Sequence, residues 1–269
     1  MARRYDDPRV RVTLNRDSKL NGVIFLFAVM MLWEAASRLE LINPLFFPAM
    51  SKIVDAFLQL IISGEIPRQI LTSLKRAGAG YLLAAIVCIP LGIAMGISQR
   101  LHQALEVTIE FCRPIPPPVV IPLAILFLGL GDGMKIFVIF FSSAWPILFN
   151  TFDGVRNIDR VLLDTGRTFG ISRARSIVKI RLPAAAPQIM TGLRISLGVT
   201  LILVVISEMI GSSDGIGYFI LEAQRRFKVV QMYAGMLALA VLGYGLNQLF
   251  FVFHNRVLAW HEGWSRRRE

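Results

Sequence analysis

Four charged residues lie within or beside long apolar stretches, where a charge is costly. Arg113 and Arg194 interrupt such stretches, and Glu208 follows Arg194 in the same one. A charge at the centre of a membrane costs at least about 2.5–3.5 kcal/mol, so such residues usually face a protein interior or a cavity. Glu110 stands three positions before Arg113, a spacing that allows the two to pair on one helical face. Two interpretations stay open for these residues: structural ion pairs and helix packing, or groups that line the path of an anion.

A run of prolines marks a second candidate feature. The segment 114–118 reads Pro-Ile-Pro-Pro-Pro and is followed by Pro122, a pattern that cannot propagate a regular helix. Non-helical backbone at membrane depth is tolerated only where it is buried in protein or lines a cavity. The run therefore predicts a broken helix beside a path through the membrane, with an interfacial kink as the alternative. Pro116 and Pro117, at its centre, are candidates to line that path.

The sequence gives little indication of a catalytic or metal-binding site. Gly211–Gly215 fits the G-x-S-x-G pattern, but a nucleophile elbow needs a strand–turn–helix setting with His and acid partners. Here the pattern follows an apolar helix, and we interpret it as a flexible outer loop. Cys88 and Cys112 lack metal-ligand spacing and are expected to be packing residues, and the three histidines are scattered. No catalytic residue and no metal ligand are predicted.

The elements that must hold these residues follow from composition. Of 269 residues, 55% are hydrophobic and 17% charged, against about 25% charged in soluble domains. Residues 77–99 and 229–255 contain no Asp, Glu, Lys or Arg, and about 20 such residues suffice to cross the hydrocarbon core as a helix. Six spans are predicted, and 49–62 is expected to lie as an amphipathic helix in the membrane surface. The predicted spans are 20–39, 77–99, 107–131, 136–152, 184–210 and 229–255. Within the second, Gly92 and Gly96 form a small-xxx-small pair suited to close helix packing.

The net charge of +11 is distributed by side of the membrane rather than gathered on one nucleic-acid-binding domain. With the N-terminus in the cytoplasm, 18 Lys and Arg lie inside and 9 outside, as the positive-inside rule favours. Both termini are then cytoplasmic. The predicted organisation is a tail at 1–19, a membrane domain at 20–257 with a cytoplasmic loop at 153–183, and a tail at 258–269. A cleavable signal peptide at the N-terminus is the less favoured interpretation.

The loop 153–183 is the one sizeable cytoplasmic segment, and its residues indicate two short helices. Asp159 can begin the first, Gly170 can end it, and Ser172 can cap a second that runs into the fifth span. On composition alone, a solvated basic connector is the competing interpretation.

The loop also carries a recognisable motif. Asp164-Thr165-Gly166, then Gly170 after three residues and Ile180-Arg181-Leu182-Pro183 after nine more, resembles the EAA loop of ABC-importer permeases. The spacing of EAA-x3-G-x9-I-x-L-P matches in full, although Asp, Thr and Gly replace Glu and two alanines. Other stretches resemble the nitrate/sulfonate/taurine branch of binding-protein-dependent permeases: Leu32–Glu34, Arg113–Pro117 with Pro122–Leu123, Thr191–Ile195, Glu208–Gly211 and Gly215–Tyr218.

The resemblance implies an all-α membrane protein with six transmembrane helices in the type I importer (MetI-like) fold. In that family the EAA loop forms a coupling helix that docks on a cytoplasmic ATPase. Carried over, the ATPase-coupling residues of this chain would be Asp164, Gly166, Arg167, Phe169, Gly170, Arg173, Leu182 and Pro183. Because glycine disfavours helix by about 1 kcal/mol relative to alanine, Gly166 predicts a coupling helix that begins late or frays.

The resemblance further implies a complex of two permeases, two ATPases and one periplasmic or lipid-anchored substrate-binding protein in a bacterial inner membrane. The chain has no G-x4-G-K-[ST] phosphate loop. It is therefore expected to bind no cofactor, with ATP and Mg used by the partner ATPase. The branch favours a small anion, first taurine or another organosulfonate, then nitrate or bicarbonate. The alternatives are an ATP-independent secondary transporter, or a permease for an aromatic acid or pyrimidine precursor.

Overall fold

The computed structural model describes residues 16–260, apart from the side chains of 16–20 and 23, and this part of the chain is helical without a strand. Most of both predicted tails lies outside the described residues. A π-helical turn at Ile177–Arg181 separates the eighth and ninth α-helices. The α-helices are α1 (Arg16–Arg38), α2 (Met50–Ile62), α3 (Glu65–Ile97), α4 (Gln99–Cys112), α5 (Pro117–Leu128), α6 (Asp132–Arg156), α7 (Arg160–Thr168), α8 (Arg173–Ser176), α9 (Leu182–Gly211), α10 (Ile216–Arg225) and α11 (Val229–Val257).

Four stretches of the described chain are long and apolar enough to cross a membrane: α3, α6, the continuous helix from Arg173 to Gly211, and α11. The pair α4–α5 makes a fifth if it is counted as one bent span. The first predicted span, 20–39, falls on α1, which is not among these stretches. Four of the six predicted spans therefore correspond to unbroken apolar helices.

The third predicted span, 107–131, corresponds to the bent pair α4–α5. α4 ends at Cys112, α5 begins at Pro117, and their axes are bent by 96°. Pro116 is extended (φ −61°, ψ 126°), and Pro117 takes the first helical position, where a missing N–H loses no intrahelical partner. The broken helix predicted from the prolines is confirmed, while Pro122 is accommodated inside α5.

The second predicted span, 77–99, begins too late. α3 starts at Glu65 and runs through Lys75 and Arg76 without a break. The charge of Arg76 ended the apolar stretch in the sequence, yet its side chain is buried against carboxylates from other helices, so it does not end the helix. The predicted bounds of the last two spans agree with α9 and α11 to within two residues.

α6 occupies the centre of the bundle, with α3 and α9 packed on it. One core cluster joins α3, α5, α6 and α9 through Ala77, Ile121, Ile139 and Val204. The small-xxx-small prediction is confirmed, because a Cβ on Gly92 would lie 2.8 Å from Thr151 Cβ. A Cβ on Gly96 would lie 2.7 Å from Val155 Cβ. These glycines let the backbones of α3 and α6 approach closely.

The connection between α1 and α2 is fixed by side chains from the Leu32–Glu34 stretch. Trp33 Nε1 donates to the Pro48 carbonyl oxygen at 3.1 Å. Glu34 Oε2 accepts from the Ser51 N–H at 3.0 Å, in the first turn of α2, where N–H groups lack helical partners. The helix predicted at 49–62 is confirmed by α2, while its position in the membrane surface stays a prediction.

Loops that the sequence places on the same side of the membrane lie at the same end of the bundle. At one end, Arg76 of α3 contacts Asp132 of α6 and Asp214 of the α9–α10 loop. At the other, Ile97 of α3 lines a cleft together with residues of α7 and the π-helical turn. The segments therefore group as predicted, and the assignment of one end to the cytoplasm stays a prediction.

Candidate functional site

The loop between α6 and α9 folds into a short helix with defined ends. Asp159 caps its start, because its carboxylate accepts from the Val161 N–H at 2.8 Å. At its end, the Ile171 N–H donates to the Gly166 carbonyl at 3.0 Å and the Gly170 N–H donates to the Arg167 carbonyl at 2.9 Å. Gly170 has φ +68°. This is a Schellman motif, in which a glycine in the left-handed region closes the helix. The helix start predicted at Asp159 and the helix end predicted at Gly170 are confirmed.

Gly166 lies inside α7 rather than at a frayed start, so the prediction of a late or frayed helix is wrong. It is buried, and a Cβ built on it would meet Ile180 Cδ1. Ile180 belongs to the π-helical turn, so Gly166 is the point at which α7 rests on the chain leading into α9. Glycine in place of alanine thus allows a closer approach between these two segments, which accounts physically for one departure from the motif.

The surface that α7 presents contains a large apolar side chain. Phe169 is 79% exposed at the end of α7. Asp164 and Arg167 form an exposed ion pair at 2.9 Å beside it, and Arg173 is exposed on the next helix. An exposed pair of this kind contributes little to stability. Of the predicted docking residues, Asp164, Arg167 and Phe169 are exposed on α7 or at its end, while Leu182 and Pro183 lie at the start of α9.

The second loop helix runs into the fifth span as predicted, with a π-helical turn between them. α8 spans four residues and continues through the π-helical turn into α9, where Leu182 and Pro183 take the first two positions. Ser172 occupies the N-cap position of α8 but makes no capping side-chain hydrogen bond, so that part of the prediction is wrong. The continuous helix from Arg173 to Gly211 provides a mechanical link from the loop to the membrane span.

At the opposite end, Glu208 is fully buried in a polar cluster that we call the Arg76 network, comprising Gln69, Ser73, Arg76, Asp132, Glu208, Ser212 and Asp214. Both Glu208 oxygens accept from Ser73 Oγ, at 2.9 and 2.8 Å. Arg76 donates to Glu208 Oε1 at 3.0 Å, and the Gly217 N–H donates to Oε2 at 3.0 Å. Glu208 therefore joins α3, α9 and α10 and is a packing residue in this conformation.

The same network holds the loop after α9. Gln69 Oε1 accepts from the Gly215 N–H at 2.7 Å, and Ser73 Oγ accepts from the Ile216 N–H at 2.9 Å. Gly215 has φ +100°, and a Cβ there would collide with the Glu208 carboxylate. The prediction of a flexible loop at 211–215 is wrong, since side chains of α3 pin it. Ser213 is exposed and follows a helix rather than a strand. The G-x-S-x-G match therefore lacks the strand–turn–helix setting of a nucleophile elbow.

Arg76 also reaches the surface of this end through two half-exposed carboxylates. Its Nε donates to Asp132 at 2.7 Å, and its terminal nitrogens donate to the carboxylate and carbonyl of Asp214. The guanidinium hydrogen bond to Asp214 lowers the pKa of that carboxyl below its ordinary value. The uncharged stretch 77–99 begins directly after Arg76, and the sequence did not lead to a prediction of this role. A signal was present, since Ser73 and Arg76 are three residues apart and share a helical face.

The remaining path candidates do not join this network. Glu110 and Arg113 are both exposed and are not ion-paired with each other among the described residues, so the suggested pairing is not observed. Arg113 instead lies over the Phe149 ring of α6, 4.5 Å from its centroid, a cation–π contact. Arg194 is exposed on α9. Pro116 and Pro117 lie at the break between α4 and α5, which begins directly after the C-cap residue Arg113.

Similarity to known proteins identifies the family of this chain. A family described as "Binding-protein-dependent transport system inner membrane component" matches residues 88–259. The chain belongs to this family. It is a multi-pass inner-membrane permease of the ABC importers, in the nitrate/sulfonate/taurine branch, and the family predicted from the EAA-like loop is confirmed.

Several relatives of this permease carry a substrate in their names. SsuC of Bacillus subtilis, a permease protein named for aliphatic sulfonates transport, is 31% identical over 91% of this chain and 89% of SsuC. The taurine transport system permease protein TauC of Escherichia coli is 29% identical over 88% of both chains. The nitrate import permease protein NrtB of Leptolyngbya laminosa is 35% identical over 71% of this chain and 68% of NrtB.

A solved structure supports the fold of the permease. A chain of the MetNI methionine ABC transporter in an inward-facing conformation superposes with a TM-score of 0.59 at 18% identity. The match covers 69% of this chain and 92% of that one. At this identity the likeness establishes the architecture alone, and the predicted type I (MetI-like) fold is confirmed.

Proposed function

We propose that this permease forms the translocation pathway of an ATP-driven importer for a small anion and is moved by a separate ATPase that grips α7. The observation that carries the proposal is the exposed Phe169 on a helix whose two ends are fixed by Asp159 and Gly170. A rigid protruding helix with an unpacked aromatic residue has the character of an interface anchor. The continuous helix from Arg173 would carry a displacement of α7 into the membrane.

Phe169→Ala tests this assignment in the complex co-expressed with its ATPase and binding protein. We expect the ATPase to co-purify less and binding-protein-stimulated hydrolysis to fall with uptake, since an interface hot spot typically contributes about 2 kcal/mol or more. Phe227→Ala is the matched control for ATPase co-purification, because Phe227 is equally exposed (78%) but lies at the opposite end of the bundle. Normal co-purification and uptake in the Phe169 variant would show that the ATPase grips another surface.

A second copy of the chain completes the pathway in this proposal. Arg194 stands 12 residues into α9, which is about 18 Å along the helix at 1.5 Å per residue, and it is exposed on the chain. A lipid-facing arginine at that depth is costly. We assign the face of Arg194, with Arg113 and the break at Pro116–Pro117, to a water-filled path between two copies. Glu208, previously a path candidate, is assigned to the Arg76 network instead.

The oligomeric state decides this point. Light scattering of the purified detergent complex, corrected for bound detergent, should give two permeases and two ATPases, with one binding protein added on loading. The partner ATPase is proposed to use ATP and Mg, while the permease itself binds no cofactor. A transporting complex with one permease and one ATPase would contradict the shared path.

The substrate class rests on the relatives and on the exposed arginines. Organosulfonates, with taurine first, are proposed ahead of nitrate and bicarbonate because the relatives named for sulfonates and taurine cover 88% or more of this chain. Calorimetric titration of the partner binding protein with taurine, alkanesulfonates, nitrate and bicarbonate tests the order. Tight binding of an aromatic acid or a pyrimidine precursor instead would contradict the small-anion assignment.

A further inference from the structure

A basic cleft of about 370 Å³ lies between α7 and the helix that leads into α9. Its polar side is formed by Arg167, Arg173, Arg181 and Ser176, and its apolar side includes Ile97 and Leu163. No carboxylate is among the described residues that line it. Three guanidinium groups therefore share one small space without a counter-charge in its wall.

Arg181 is the half-buried arginine of this cleft. It has neither an ion pair nor a side-chain hydrogen bond with the described residues, whereas Arg167 is paired with Asp164. Partly buried arginines normally have a partner, since their charge is desolvated. Arg181 also ends the π-helical turn, a distortion that occurs frequently at functional sites. An external anion would supply the missing partner.

The geometry of the cleft indicates the kind of anion. A planar guanidinium presents paired donors that match the oxygens of a phosphate. Arg181 directly precedes the Leu182–Pro183 start of α9, and Ile97 is the last residue of α3, so the cleft lies where two apolar helices end. A ligand there meets arginines on one side and aliphatic side chains on the other. A phospholipid offers this combination of a charged head and an apolar body.

We propose that the cleft binds the phosphate of an anionic phospholipid from the cytoplasmic leaflet and thereby steadies α7 against α9. Basic pockets between spans at that surface are suited to anionic headgroups. The proposal rests on the cytoplasmic placement of α7 in the proposed function, and it adds a ligand that this function does not require. Occupancy would couple the stiffness of α7 to the lipid composition of the membrane.

Thermal unfolding of the purified complex, with added short-chain phosphatidylglycerol, measures binding. We expect stabilisation that saturates in the wild-type complex and needs about tenfold more lipid in Arg181→Gln, since a charge-assisted hydrogen bond is lost. Arg175→Gln is the matched control, because Arg175 is an exposed arginine on the same segment outside the cleft. Equal lipid dependence in the two variants would overturn the proposal.

Two further arms identify the source of the phosphate and guard against a folding defect. Inorganic phosphate at the same concentrations should stabilise neither variant nor the wild type; saturable stabilisation by it would overturn the lipid assignment in favour of a free anion. Arg181→Lys keeps the charge without the paired donors and should bind the lipid with intermediate strength. ATPase co-purification is recorded in the same samples, so failure of lipid binding with the ATPase retained counts against this inference and not against the proposed function.

Discussion

Glu208 has no exposed surface, yet its charge is matched by donors from three directions. Arg76, the Ser73 hydroxyl and the Gly217 N–H all donate to it. Removing one partner of such a buried pair is strongly destabilising because the other charge is left without compensation. At the scale of single residues, the Arg76 network therefore fixes the α9–α10 loop. Substitutions that disturb the geometry of the network are expected to lower the stability of the protein.

Gly215→Ala should disturb that geometry directly. The residue has φ +100°, and a Cβ would collide with the Glu208 carboxylate. We expect a loss of about 1–3 kcal/mol in the free energy of unfolding, the usual cost of such strain. Tryptophan fluorescence during thermal unfolding in detergent measures it. Gly78→Ala, at a helical glycine with open space around its Cβ position, is the control and should unfold at or above the wild-type temperature.

Asp214→Asn should reveal a pH-dependent contribution from the same network. Arg76 lowers the pKa of the Asp214 carboxyl in the folded state. A carboxyl with a lowered folded pKa stabilises fully above its unfolded pKa, near 3.9, and loses that contribution as the pH falls through the folded value. The stability difference between wild type and variant should thus be constant from about pH 5 upward and shrink below about pH 4. A difference that grows on acidification would contradict this.

At the scale of elements, the sequence predicts what depends on local chemistry. Asp159, Gly170 and the proline run mark the helix ends correctly because capping, positive φ and a missing N–H act within a few residues. The start of α3 is missed because Arg76 is compensated by Asp132 and Glu208, which are distant in sequence. The ion pair of Glu110 and Arg113 fails for the same reason, since Phe149 of α6 takes the arginine instead.

Gly170→Val should weaken α7 as an element while leaving the membrane spans in place. A β-branched residue at φ +68° is strained by roughly 1–2 kcal/mol, so the Schellman motif should open and displace Phe169. We expect normal membrane insertion, with uptake and stimulated ATP hydrolysis reduced together. Gly170→Asn is the matched control, because asparagine tolerates the left-handed region better. Equal losses in the two variants would indicate that backbone conformation at Gly170 is not the cause.

At the scale of the whole molecule, charge is divided between the two ends of the bundle. At one end, the acidic and basic groups of the Arg76 network form ion pairs with each other. The other end carries the basic cleft and the exposed α7, with arginines in excess. The positive-inside rule orients a membrane protein by such an excess, and it favours a cytoplasmic position for α7. Every proposed partner follows from this orientation, with the ATPase and lipid head on one side and the binding protein on the other.

Cysteine labelling tests this orientation with two exposed serines at opposite ends of the bundle. Ser172 lies between α7 and α8, and Ser213 lies in the α9–α10 loop. In a background with Cys88 and Cys112 replaced by alanine, an impermeant maleimide on intact spheroplasts should label Ser213→Cys and leave Ser172→Cys unlabelled. Inside-out vesicles should give the reverse, because one membrane-spanning helix, from Arg173 to Gly211, lies between the two loops. Labelling of Ser172→Cys from the outside would reverse the molecule in the membrane and remove α7 from the reach of an ATPase.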